Sequence, residues 1–297
     1  MRLLFGLSAA LLSWMQPVLA APNVVVTLKP LHSLVAAVMQ GVAEPVLLLP
    51  NATSPHSYTL RPSDTRALAN ADVVVWVGPG LETFLEKPLG ALAGAAEVVA
   101  LAERDELRLL PLREAGAHEH ENGGGTDLHF WLDVENAGAV VTLAAEVMAR
   151  HDPPNAAVYA ANRERVLGEL RRLDAELAAL LAPVAEYPFL TLHDAFQYLE
   201  ARYRLHGVGT LTVNPDRVPG AKSLADMRRT IVATGVRCVF GEPQFPAALG
   251  RALTDGTPAR LEVVDSLGVG VPAGPGAYAA TLRRLAQAFR ACLVPAA

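Results

Sequence analysis

Residues 152–183 read DPPNAAVYAANRERVLGELRRLDAELAALLAP. Asp152-Pro153-Pro154-Asn155 is a helix start signal, with prolines placed where a first turn makes no use of an N–H. From Ala156 to Ala182 the one residue unfavourable to a helix is Gly168. Leu167, Leu170, Leu173, Leu177 and Leu180 recur at three- and four-residue steps, which is one apolar stripe of an amphipathic helix. At about 1.5 Å per residue such a helix is roughly 40 Å long, enough to join two domains.

On both sides of it the sequence changes period. Val24 to Leu28, Pro45 to Leu49, Asp72 to Val77 and Glu97 to Leu101 are short apolar runs rich in β-branched residues, as strands covered on both faces would be. Helical stretches lie between them, including Asp64 to Asn70 capped by Ser63. Leu128 to Asp133 reads as a further strand, followed by a helix from Glu135 to Arg150. Beyond the long helix, Phe189 to Leu192, Arg237 to Gly241 and Leu261 to Asp265 read as strands, with helices from Ala221 to Ala233 and Tyr278 to Arg290. Short strands alternating with helices predict an α/β fold: two similar lobes, each a mostly parallel sheet flanked by helices, joined by one long helix. The expected boundaries are 22–151 for the first lobe, 152–183 for the linking helix and 184–297 for the second lobe.

Composition agrees with a folded chain. Of 297 residues, 52% are hydrophobic and 19% charged, which excludes disorder. Against 30 Asp and Glu there are 25 Lys and Arg, a net charge of −5, so no basic face for nucleic acid is expected. Arg2, the apolar run Leu3 to Leu12 and the small-residue pattern Val18-Leu19-Ala20 read as a secretory signal peptide over 1–21. No later window holds about 18 uninterrupted apolar residues, so a soluble, exported mature chain is expected. Export gives meaning to Cys238 and Cys292, the only two cysteines: an oxidising compartment favours a disulfide, and two buried thiols are the alternative.

Metal-capable side chains occur in two settings. Ala117-His118-Glu119-His120-Glu121 precedes a glycine run, 123–125, and reads as a surface loop, either an auxiliary metal loop or simply a solvated one. His56, His129 and His193 sit where strands begin or end, and Asp265 ends a strand in the same way. Ligands of open α/β sheets gather at such ends. Three imidazoles and one oxygen would fill a zinc tetrahedron. Taken singly, each histidine reads equally as a satisfied loop or core residue, as do His32, His151 and His206.

Four segments carry a family resemblance. Ser54-Pro55-His56-Ser57-Tyr58-Thr59-Leu60-Arg61-Pro62-Ser63-Asp64, Leu128-His129-Phe130-Trp131-Leu132-Asp133 and Thr191-Leu192-His193-Asp194-Ala195-Phe196-Gln197-Tyr198 resemble, in order, the ligand segments of the metal-binding solute-binding proteins of ABC transporters. Arg237-Cys238-Val239-Phe240-Gly241-Glu242-Pro243-Gln244-Phe245 resembles the zinc-uptake branch of that family. The resemblance implies two α/β lobes bridged by a rigid long helix, with the metal in the cleft between them. It implies Zn(II) held by His56, His129 and His193, with Asp265 or a water as fourth ligand. It also implies delivery to an ABC permease in the inner membrane by a periplasmic, monomeric carrier without catalytic residues. Manganese-selective relatives tend to carry Glu at the position of His193, so a manganese carrier is the second reading. A secreted zinc hydrolase with Glu242 as its base is the third. Two departures stand out: Pro55 replaces an acidic residue found in some zinc relatives, and Val134 replaces the usual Pro.

Overall fold

Val24, Val25 and Val26 form β1, and all three are buried. A β-branched run with no polar face belongs inside a sheet, and β1 is paired on both edges. Its neighbours are β2 (Val46–Leu47) on one side and β3 (Val73–Trp76) on the other, both parallel. Between these strands the chain forms α1 (Lys29–Met39) and α2 (Pro62–Ala69); α3 (Thr83–Leu92) then leads to β4 (Glu97–Ala100). The first sheet has the order β2-β1-β3-β4. The computed structural model describes residues 21–49, 53–113, 125–212 and 219–294. The leader expected over 1–21 lies, apart from Ala21, outside the described residues, as does the loop carrying His118 and His120.

A two-stranded antiparallel hairpin, β5 (Leu110–Pro111) with β6 (Thr126–Asp127), follows, then α4 (Val134–His151) and α5 (Ala156–Leu181). The second sheet is built from β7 (Phe189–His193), α6 (Gln197–Tyr203), β8 (Gly207–Thr212), α7 (Ala221–Thr234), β9 (Cys238–Gly241), α8 (Ala247–Thr254) and β10 (Arg260–Val263). Its order is β10-β9-β7-β8, again all parallel. The chain closes on α9 (Ala277–Leu293).

The long helix α5 packs on α4, α1 and α9. Its buried face is Tyr159, Val166, Leu170, Leu173, Leu177 and Leu181, while Leu167 and Leu180 lie half-buried at its margins. The stripe is thus rotated slightly from the one the leucines alone suggest, because Tyr159 and Val166 also take core positions. Each such apolar side chain contributes about 1.5–3 kcal/mol relative to exposure. Cys238, first in β9, and Cys292, in α9, form a disulfide with a Cα–Cα distance of 6.1 Å, which joins an inner strand to the last helix. No helix among the described residues is long and apolar enough to cross a membrane.

Two local expectations are corrected. Leu128 to Asp133 is not a strand: Phe130–Leu132 is a single 3₁₀ turn. Aspartates at both ends divert the backbone, since Asp127 accepts from the N–H of His129 and Asp133 accepts from that of Glu135, capping α4. Ser63 does not cap α2 either; the helix starts two residues earlier, at Pro62, and the Asp64 carboxylate accepts from the N–H of the N-cap residue Arg61 at 2.8 Å.

Candidate metal centre

From β7 the chain moves to β8 on one side and then to β9 on the other. That reversal opens a crevice at the carboxyl ends of β7 and β9. His193 is the last residue of β7, and Glu242 is the first after β9. Both are buried, and the Glu242 carboxylate accepts from His193 Nδ1 at 2.9 Å. A carboxylate can only accept here, so the proton sits on Nδ1 and the Nε2 lone pair is free. His193 Nε2 is buried without a protein partner.

His129 is placed by the small hairpin. Tyr198, from α6, donates to the Asp127 carbonyl at 2.6 Å and accepts from the Leu110 N–H at 2.9 Å, which fastens both hairpin strands to the second half of the chain. Asp127 Oδ1 then accepts from the His129 N–H at 2.9 Å and from Nδ1 at 2.8 Å. The tautomer is the same as for His193. Trp131 packs edge-on against the His129 ring, with centroids 5.3 Å apart.

His56 comes from the segment between β2 and α2. Its N–H donates to Ser54 Oγ, and Tyr58 Oη donates to Asp64 Oδ2 at 2.7 Å, which ties the segment to the first turn of α2. Among the described residues, unlike the other two rings, it has no carboxylate on it, and its Nε2 is also buried without a partner.

The three rings converge. Centroid separations are 5.7 Å for His56–His129, 5.3 Å for His56–His193 and 4.8 Å for His129–His193. One ring nitrogen from each lies within 4.8 Å of the others. Burial, and then repulsion from His129 and His193, lowers the His56 pKa to about 3. For His129 burial also disfavours the charged form, but the Asp127 hydrogen bond and charge outweigh it and raise its pKa above the usual imidazole value. Burial pushes Glu242 upward, yet the bond and charge of His193, with help from Ser266, hold its carboxyl below the ordinary range. The pocket therefore presents one ring whose charged form is disfavoured, His56, and two whose Nδ1 atoms face carboxylates, His129 and His193.

Asp265 is not brought to this cluster. Its carboxylate accepts from the N–H of Leu267 and, at 3.0 Å, of Gly270, so it organises its own turn. The sequence Asp265-Ser266-Leu267-Gly268, with Gly268 at φ +68°, carries the signal for such an Asx-type turn. Ser266 and Leu267 line the pocket instead, together with Gln244 and Phe245. Both amide atoms of Gln244 are buried without partners among the described residues. Sequence reading missed Asp127, Gln244 and Ser266; of these only Asp127, two residues before a histidine, had a local signature. His32, His151 and His206 take local partners: the Pro45 carbonyl, Glu97 and the Glu186 carbonyl.

Comparison with known proteins gives a consistent picture. The family model described as "Zinc-uptake complex component A periplasmic" matches residues 24–292. The high-affinity zinc uptake system protein ZnuA of Brucella abortus (strain 2308) is 39% identical over 305 residues, covering 91% of this chain and 91% of its own. The protein of that name from Yersinia pestis is 33% identical over 293 residues, covering 93% and 92%. A crystal structure of ZnuA superposes with a TM-score of 0.80 at 24% identity, covering 92% of this chain and 100% of that one, a likeness of fold.

Proposed function

This chain belongs to the family of periplasmic component A proteins of zinc-uptake complexes, and from that premise we propose that it captures Zn(II) in the periplasm and delivers it to the permease of an inner-membrane ABC transporter. The observation that carries the reading is the meeting of three imidazoles, from three distant parts of the chain, with nitrogens within 4.8 Å. Zinc bonds of about 2.0–2.1 Å place tetrahedral ligands roughly 3.4 Å apart, within reach of small ring movements. His56, His129 and His193 are the ligands. A water takes the fourth position beside Gln244, whose unpaired amide supplies both a donor and an acceptor.

An all-imidazole donor set favours zinc over manganese, which prefers oxygen. A carrier also accounts for Glu242 better than a hydrolase does: one of its oxygens holds His193 and the other holds Ser266, so neither is left to act as a base. The protein works as a monomer and without turnover. Residues 1–21 are the export leader, 22–151 and 184–297 the two lobes, and 152–183 the helix that joins them. His118 and His120 form an auxiliary zinc-gathering loop. The test is competition: apo-protein given Zn(II) and Mn(II) together takes up one equivalent of zinc. Preferential uptake of manganese would overturn the metal assignment.

A further inference from the structure

Ser266 touches the support of two different ligand rings. Its hydroxyl donates to Glu242 Oε1, while Glu242 Oε2 holds His193. Its carbonyl accepts from Trp131 Nε1 at 3.1 Å, and Trp131 packs on His129. Ser266, Glu242 and Trp131 are all buried, at 2%, 6% and 1% exposure. The turn that carries Ser266 is itself fixed from the other half of the chain. Lys29, at the start of α1, donates to the carbonyls of Gly268, Val269 and Val271 at 2.8, 3.2 and 3.0 Å. Tyr278 Oη donates to the Trp131 carbonyl at 2.8 Å, closing the arrangement.

We propose that Ser266 is a positioning residue for the metal centre, setting the His193 ring through Glu242 and the His129 ring through Trp131. The inference rests on the zinc-carrier reading above. A carboxylate held at one oxygen can still turn about its last bond; held at both, it fixes the ring it supports. Ser266 supplies the second hold, and its backbone joins that hold to the ring from the first half of the chain.

Zinc affinity of the full mature chain, read by competition with a chelating fluorophore, tests this. Ser266→Ala is expected to weaken zinc binding by roughly tenfold, and Glu242→Gln by roughly 10–100-fold. Because the serine hydroxyl acts through Glu242, adding Ser266→Ala to Glu242→Gln should cost little more. Ser266→Cys, which keeps the volume and weakens the donor, should resemble Ser266→Ala and serves if the alanine variant does not fold. Nitrogen-15 relaxation of the apo-protein should show the His193 ring more mobile in the Ser266 variants than in the wild type, with its proton on Nδ1 in both. Wild-type affinity and an unchanged His193 ring mobility in those variants would overturn the proposal, as would effects that simply multiply. A wild-type protein that binds no zinc would instead overturn the carrier reading.

Discussion

A single oxygen of Asp127 accepts both the backbone N–H of His129, at 2.9 Å, and its Nδ1, at 2.8 Å. One carboxylate thereby fixes the ring, the tautomer and the turn that carries them. Glu242, 49 residues away, holds His193 by Nδ1 alone, while among the described residues no carboxylate holds His56. The centre is therefore two imidazoles held rigidly against anions and one held only by its loop.

Removal of each ring gives a direct prediction. Alanine at His56, His129 or His193 should weaken zinc binding by more than the roughly 10–100-fold that loss of a supporting partner costs. Asp265→Ala should leave affinity unchanged within about twofold, because that carboxylate is engaged by its own turn. Isothermal competition titrations compare the four variants.

The pH dependence follows from the same asymmetry. A raised pKa means that His129 takes up a proton while ordinary histidines are still neutral, and the protonated ring cannot bind metal. Zinc affinity should be fully present at alkaline pH and begin to fall above pH ~6.5, the unperturbed imidazole value. His56, with a pKa of about 3, adds no proton to the competition between pH 5 and 8. The slope of log Kd against pH should then stay at two protons or fewer; a slope near three would contradict this picture. Asp127→Asn should move the onset to lower pH.

Zinc should also stabilise the chain by mass action. At a free concentration 1,000-fold above Kd the gain is about 4 kcal/mol, or roughly 8 °C in Tm for a protein of this size. A melt that ignores zinc would show that the ligands do not come together in the native state.

Much of this is legible in the sequence, and the exceptions have physical causes. The alternation of apolar runs with helices shows both parallel sheets because a strand covered on two faces needs a continuous apolar run, as in Val24–Val26 and Phe189–His193. β8, Gly207–Thr212, is not legible because its glycines and threonines carry little hydrophobic signal. His193 is legible as a candidate from its place at the end of a strand, whereas His129 follows the short strand β6 and not the strand expected over Leu128 to Asp133. Glu242 and Ser266 were not legible as their supports, because only the crossover from β7 to β9 and the turn after β10 bring them near. Asp265 shows the converse: an aspartate at the end of a strand has the right address for a ligand, but the following Gly-rich turn engages it first.

Loss of the disulfide tests a separate part of the frame. Cys238→Ser with Cys292→Ser opens a loop of 54 residues and should cost about 4 kcal/mol of stability. Zinc affinity should stay close to wild type, since neither sulfur lies among the ligand groups. Chemical denaturation and a zinc titration on the same sample separate the two effects.

X-ray absorption at the zinc edge of the loaded, full mature protein addresses the central claim most directly. Three imidazole nitrogens and one oxygen at about 2.0–2.2 Å are expected, with one imidazole lost in each of the three histidine variants. A shell with two imidazoles or fewer in the wild type, or one unaltered by those substitutions, would contradict the account.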